Sequence, residues 1–301
     1  MNVTAIAGPI VLFLLMTIVG LELTTDDFRR VLQVPRAVIG GTIAQWLLLP
    51  AMTWLVVWLL GVNPVFGAGA VLVAVSPGAG ISNILVALAR ANTALSVSLT
   101  ATASAFAVVT LPVFASLGMS FFIDDGVKVD VPVATLIGQL AVSLLLPISL
   151  GMWLRARNPR RAAQLAPRLQ RITMVVIGVV VGFGIAFAPE EQVNFEGSEV
   201  ALVAAGVWTL LAMALGWGTA AVLRLPAEDR FTYLIEFSAR NIAVAAIVAM
   251  SGLDRIDFTF FSGVYFIVGY PLAALAVWLR RRSLPESERV IQPEPDRRRM
   301  P

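Results

Sequence analysis

Cysteine and histidine are both absent from the 301 residues of this chain. Without cysteine there is no disulfide and no thiolate chemistry, and nothing in the chain speaks to the redox state of its compartment. Without histidine the commonest metal ligand and the usual proton carrier at neutral pH are missing, which counts against metalloenzymes and histidine-based catalysis. Charge is scarce as well: 14% of residues are Asp, Glu, Lys or Arg against 58% hydrophobic, and mean hydropathy is +0.85. That balance overrides the two soluble domains that length alone suggests and points to an all-α polytopic membrane protein. The net charge of +3 comes from particular connections and is no nucleic-acid signature.

A spanning helix needs about 20 mostly apolar residues, and nine such runs can be marked: Val3 to Leu23, Val38 to Leu60, Val65 to Ala89, Ala94 to Phe121, Val133 to Leu154, Ile172 to Ala188, Val200 to Leu223, Phe231 to Met250 and Phe258 to Leu279. The first has no basic stretch before it and no small-residue cleavage pattern at its end, so it reads as a retained span rather than a signal peptide. Alternate connections carry Arg29, Arg30 and Arg36, then Arg90, then Arg155, Arg157, Arg160, Arg161, Arg168 and Arg171, then Arg224 and Arg230. The others are acidic, with Asp124, Asp125 and Asp130, then Glu190, Glu191, Glu196 and Glu199, then Asp254 and Asp257. The positive-inside rule therefore sets the N-terminus outside and the C-terminus in the cytoplasm. A transmembrane unit over residues 1–280 is expected, followed by a disordered cytoplasmic tail over 281–301 whose first arginines anchor at the headgroups.

Two spans contain what lipid penalises. The third, about 65–89, holds Ser76-Pro77-Gly78-Ala79-Gly80-Ile81-Ser82-Asn83, where proline and glycines break the helix and polar oxygens follow. The eighth, about 231–250, holds Glu236-Phe237-Ser238-Ala239-Arg240-Asn241. A charge at the centre of a span costs roughly 2.5–3.5 kcal/mol on the insertion scale, so these groups need partners. Glu236 and Arg240 stand four apart, on one face if the stretch is helical. Each feature has a plain reading, a kinked helix or a buried ion pair, and a functional one, unwound backbone around a binding site. Two interrupted spans running in opposite directions, one in each half of the chain, favour the second: an inverted-repeat transporter whose discontinuous helices cross near the midplane.

The run Pro77 to Asn83, then Leu88-Ala89-Arg90-Ala91-Asn92-Thr93-Ala94-Leu95-Ser96-Val97 and Thr100, closely resembles the bile acid:sodium symporter family. Gly20-Leu21-Glu22-Leu23 with Asp27-Phe28, and the stretch from Ala44-Gln45 to Pro50, are similar to the same family. The resemblance covers the chain up to its tail and is to a bacterial member with nine helices instead of ten. It implies core and panel domains, the inner (plasma) membrane, alternating access, sodium as coupling ion with no other cofactor, and a small-molecule substrate. A first sodium site is implied at Ser82, Asn83, Ser96, Thr100 and Glu236, whose hydroxyl, amide and carboxylate oxygens suit a small hard cation. A second is implied at Gln45, Glu236 and the main chain near Phe237 and Ala239, with a further ligand at the position of Arg240.

Arginine there departs from the family pattern. It has no acceptor and stays charged, and a cation about 4 Å away would be repelled by roughly 4 kcal/mol at an effective dielectric of 20. The expectation is that Arg240 takes the place of the second ion, pairing with Glu236 and Gln45, so that one sodium is carried instead of two. A rival role is to hold a substrate carboxylate. Substrate, a small organic anion, is expected near Gly80, Asn83, Ser238, Arg240 and Asn241, with Gly80 standing where the family has threonine. A sodium-independent anion carrier is the alternative. The arsenite carriers of the superfamily use a cysteine this chain lacks. An intramembrane enzyme would have to work with Ser82 or Ser96 beside Glu236 and no histidine, cysteine or lysine in any span, which argues against it.

Overall fold

A computed structural model describes residues 13–14, 16–26, 29, 33–78, 80–122, 137–138, 141–166, 168–169, 172, 175, 197–253 and 255–285. These residues are overwhelmingly helical, with a single isolated antiparallel bridge between Gly78 and Arg240. The helices used below are α1 (Pro35–Leu59), α2 (Pro64–Val75), α3 (Gly80–Leu88), α4 (Thr93–Phe122), α5 (Leu146–Arg157), α6 (Ser198–Val222), α7 (Ala227–Ser238), α8 (Ile242–Ile247) and α9 (Phe260–Ser283).

Four stretches are long and apolar enough to cross a membrane: Pro35–Leu59, Thr93–Leu117, Ser198–Val222 and Ile256–Ser283. They coincide with the second, fourth, seventh and ninth expected spans. Of the first span, residues 16–22 are helical, and the middle of the fifth is a π-helical turn, Ala141–Leu145, that leads into α5, where the span ends. The sixth span lies outside the described residues apart from Ile172 and Val175, as do the acidic runs at 124–130 and 190–196 and the tail from residue 286. One boundary differs from expectation. Helix α9 runs through Arg280, Arg281 and Arg282 to Ser283, so the start of the expected tail is helical. Arginine is a good helix former and suits a helix C-terminus, and Arg282 stacks on Trp278 one turn back, 3.8 Å from the ring centre.

The third and eighth spans are interrupted, each for its own reason. Asn63 caps the start of α2 by accepting from Val65 N at 2.9 Å, with Pro64 in the first turn. The helix stops at Val75 because Pro77 forces the preceding Ser76 into extended backbone, φ −63° and ψ 147°. The chain restarts as α3 and ends where Arg90 adopts a left-handed φ of 52° and Ala91 N bonds Val86 O. Asn92 then caps α4, accepting from Leu95 N at 3.0 Å. In the eighth span no proline or glycine intervenes. Helix α7 ends at Ser238, Ala239 takes φ −103° and ψ 82°, and Asn241 caps α8 by accepting from Val244 N.

The two breaks lie against each other. Asn241 N donates to Pro77 O at 3.0 Å, beside the Gly78–Arg240 bridge. Unwound backbone at membrane depth has no water to satisfy it, and here each interruption supplies partners for the other. Helices α4 and α6 brace the crossing from its flanks: α4 packs on α1 and α2, and α6 packs on α1, α7 and α9. A buried bond from Trp208 Nε1 to Thr53 Oγ1, 2.7 Å, ties α6 to α1.

Candidate functional site

Glu236 sits on the last turn of α7 with no exposed surface. Its Oε1 accepts from Ser82 Oγ of α3 and from Ser96 Oγ of α4, each at 2.6 Å, and its Oε2 accepts from Thr100 Oγ1 of α4 at 3.0 Å. Ser96 and Thr100 are one turn apart, so both hydroxyls leave the same face of α4. Asn83, next to Ser82, brings its Oδ1 to 2.7 Å from Ser96 Oγ. Five polar residues from three helices thus converge in a region closed to solvent, and all five were expected to.

The protons in this cluster do not cover its contacts. A serine hydroxyl has one hydrogen, yet Ser96 Oγ lies within bonding distance of two acceptors, Glu236 Oε1 and Asn83 Oδ1. If it serves the carboxylate, two oxygens face each other at 2.7 Å with nothing between their lone pairs. A small hard cation relieves that conflict. Gly78 comes close against these oxygens: a Cβ on it would stand 2.6 Å from Glu236 Oε2, 2.8 Å from Thr100 Oγ1 and 3.5 Å from Ser82 Oγ, so a side chain there would displace them.

Arg240 is the other buried charge, 1% exposed. Its Nη1 donates to Gln45 Oε1 of α1 at 2.7 Å and to the main-chain oxygen of Glu236 at 3.1 Å, and its Nη2 donates to Ser76 O. The expected ion pair with the Glu236 carboxylate is not formed; the guanidinium bonds the Glu236 main chain instead. The four-residue spacing puts two side chains on one face only in a continuous helix, and the break at Ala239 turns Arg240 away. The guanidinium instead occupies a cage of three neutral oxygens. Gln45 is brought to it as expected, the main-chain oxygens are those of Glu236 and Ser76, and Phe237 and Ala239 are buried alongside. Arg240 Nε and Gln45 Nε2 have no acceptor.

Residues expected to face substrate are all at the crossing and all buried. Gly80 opens α3, and Asn83 belongs to the oxygen cluster. Two have structural work: Ser238 Oγ turns back to Leu234 O at 2.7 Å, and the Asn241 side chain caps α8. Sequence reasoning missed the tyrosines. The chain has three, and each gives its hydroxyl to a backbone carbonyl: Tyr233 to Ala37 O, Tyr265 to Ser238 O, and Tyr270 to Arg240 O at 2.7 Å. Tyr265 also accepts from Arg240 N at 3.1 Å. The last span therefore satisfies the second break, and two rare tyrosines inside an apolar run were the available signal.

Comparison with known proteins agrees with this architecture. The family model described as Sodium Bile acid symporter family matches residues 9–194. A probable sodium/metabolite cotransporter of Arabidopsis chloroplasts is 27% identical over 272 residues, covering 89% of this chain and 65% of its own length. A similar rice chloroplast protein is 27% identical over 280 residues, with 64% of its length covered, so the chain spans somewhat less than two thirds of these relatives. An uncharacterized sodium-dependent transporter of Bacillus subtilis is 26% identical over 277 residues, covering 90% of this chain and 83% of the relative. With 186 of 301 residues under the family model, the chain belongs to the sodium bile acid symporter family.

Proposed function

We propose that this protein is a sodium-coupled carrier of a small organic anion in the cell inner (plasma) membrane, carrying one sodium per cycle by alternating access. The observation behind the coupling ion is the oxygen cluster around Glu236, whose hydroxyl protons are too few for its contacts and against which Gly78 packs too closely for any side chain. The relatives' descriptions as sodium/metabolite cotransporters and a sodium-dependent transporter agree with it. Ser82, Asn83, Ser96, Thr100 and Glu236 are the sodium ligands. Arg240 replaces the second ion: its guanidinium takes the oxygens of Gln45, Glu236 and Ser76 that a cation would otherwise take. Residues 1–280 form core and panel domains related to inverted repeats, with the crossing helices in the core.

Charge at the crossing supports the anion. Glu236 and Arg240 cancel, and bound sodium leaves one positive charge in a poorly solvated region, which a monovalent anion near Gly80, Asn83, Ser238, Arg240 and Asn241 neutralises. The alternative, a sodium-independent carrier, rests on Arg240 serving as the only cation. Purified protein melted with small organic anions in sodium and in potassium separates the two. Anion stabilisation that appears only in sodium supports symport; equal stabilisation in both salts refutes it. Paired sodium and anion flux in proteoliposomes then gives the ratio, expected at one.

A further inference from the structure

The connection after α5 holds six arginines, from Arg155 to Arg171, and no acidic residue occurs from residue 131 to residue 189. The other arginine-rich connections carry their own acids: Asp26 and Asp27 before Arg29 and Arg30, Glu228 and Asp229 between Arg224 and Arg230, and Glu286 and Glu288 after the run Arg280 to Arg282. Counter-charges for the connection after α5 have to come from elsewhere. Arg155 is taken up inside the protein, where its Nη1 donates to Leu21 O at 2.7 Å. Arg157, Arg160, Arg161 and Arg168 are exposed, and among the described residues none of them belongs to an ion pair.

Helix α5 stops at Asn158, φ −141° and ψ 70°. The oxygen of Asn158 then accepts from Ala162 N at 3.0 Å and starts a short helix with Pro159 in its first position; residues 159–166 and 168–169 are helical. Ala162 and Ala166, one turn apart, are buried on Leu21, with Leu169 alongside. That seats the short helix on the 16–22 stretch, which itself meets α5 with no side chain between the backbones: a Cβ on Gly20 would collide with Ile148 O, and one on Gly151 with Thr17 O. With the alanine side fixed inward, helical spacing sets Arg161, Leu165 and Arg168 along one flank and Arg160 opposite Ala162. Leu165 is exposed, as is Trp153 at the end of α5, and the Arg157 guanidinium stacks 3.9 Å from the centre of the Trp153 ring.

Exposed arginines interleaved with exposed apolar side chains fit a partner that is anionic at one end and hydrocarbon at the other. Guanidinium donors match the free oxygens of a phosphodiester, and tryptophan at a span end sits at headgroup depth. We propose that this corner is a docking site for acidic phospholipid, its headgroup phosphate held by Arg157, Arg160, Arg161 and Arg168 and its acyl chains lying against Trp153 and Leu165. Because the short helix, the 16–22 stretch and α5 are packed directly on one another, bound lipid fixes all three at one depth in the bilayer. The site shares no residue with the oxygen cluster around Glu236 and does not depend on what that cluster binds.

The test is the melting temperature of the full chain in a zwitterionic detergent, titrated with dioleoyl phosphatidylglycerol, with dioleoyl phosphatidylcholine, or with glycerol 3-phosphate as a headgroup without chains. Wild type is expected to be stabilised by phosphatidylglycerol well above phosphatidylcholine and not by glycerol 3-phosphate. Each basic side chain close to an acidic membrane surface is worth about fivefold in binding, so R157Q/R160Q/R161Q/R168Q should need at least about tenfold more phosphatidylglycerol for half its stabilisation. R29Q/R36Q, which removes two exposed charges from a connection with its own acids, should match wild type. Native mass spectrometry of wild type purified from an equimolar mixture of the two lipids gives a reading that needs no variant to fold, and phosphatidylglycerol should be the lipid retained. Equal response to the two lipids, or equal retention of them, overturns the proposal. So does a phosphatidylglycerol midpoint unchanged in the quadruple variant, an equal loss in R29Q/R36Q, which would make the effect one of general surface charge, or stabilisation by glycerol 3-phosphate alone, which would make this a site for a free anion.

Discussion

Replacing Arg240 by glutamine should create a second sodium site and make the protein depend on it. The guanidinium makes three hydrogen bonds to buried oxygens, two of them main-chain, and hydrogen bonds of charged groups are each worth about 1.5–3 kcal/mol. Removing one partner from a buried charge arrangement typically costs about 3–5 kcal/mol, so R240Q in potassium should melt well below wild type. The same change removes the repulsion that keeps a cation out, roughly 4 kcal/mol at about 4 Å, or about a thousandfold in affinity. Gln45 Oε1, Glu236 O and Ser76 O are then free to accept an ion. Sodium at a hundred times its dissociation constant returns about 2.7 kcal/mol for each site, so stability lost in potassium should largely come back in sodium. The assay is the melting temperature against sodium concentration, paired with sodium-to-anion flux ratios in proteoliposomes. Wild type should follow a one-site curve and carry one sodium; R240Q should follow a steeper curve and carry two. If R240Q keeps a one-site curve and a ratio of one, Arg240 does not stand in for an ion.

Three further outcomes follow from the same geometry. G78A places a methyl about 0.8 Å inside ordinary contact with Glu236 Oε2, so sodium-specific stabilisation should vanish at an overpacking cost of about 1–3 kcal/mol, read from melting in sodium and potassium. E236Q keeps an acceptor for Ser82 and Ser96 but no charge, and should weaken sodium by at least about a hundredfold while the protein still folds; an unchanged sodium midpoint would remove Glu236 from the site. Y270F strips the donor from Arg240 O, leaving a buried carbonyl without it, and should cost about 1–3 kcal/mol of stability with no change in sodium midpoint.

The first break could be read from sequence because its cause is local: Pro77 constrains Ser76 wherever it occurs. The second could be suspected from its charges but not located. Nothing between Ser238 and Asn241 forbids a helix, and the chain leaves it because Ser76, Gln45, Tyr265 and Tyr270 offer more to Arg240 and its neighbours than helix continuation does. Those partners lie between 25 and 195 positions away, beyond any periodicity argument, and this is why the one-turn pairing of Glu236 with Arg240 was expected and is not formed. Ser82, Asn83, Ser96 and Thr100 were legible because the family resemblance indicated which of the many small polar residues in these spans converge; Ser98 and Ser104 are buried in the same helix as Ser96 and Thr100.

The mutual satisfaction of the two breaks also sets a timetable for biogenesis. Ser76 O waits for the Arg240 guanidinium, which enters the chain 164 positions later, and Pro77 O waits for the next residue's amide. At about 5–20 residues per second, the third span spends roughly 8–33 s in or beside the insertion machinery with exposed carbonyls at its centre. A nascent chain stopped after the seventh span holds an unfinished helix that lipid cannot accommodate. Such truncations should therefore be cleared by membrane proteases, and they should be recoverable by supplying the 227–285 segment as a separate chain that completes the crossing in trans.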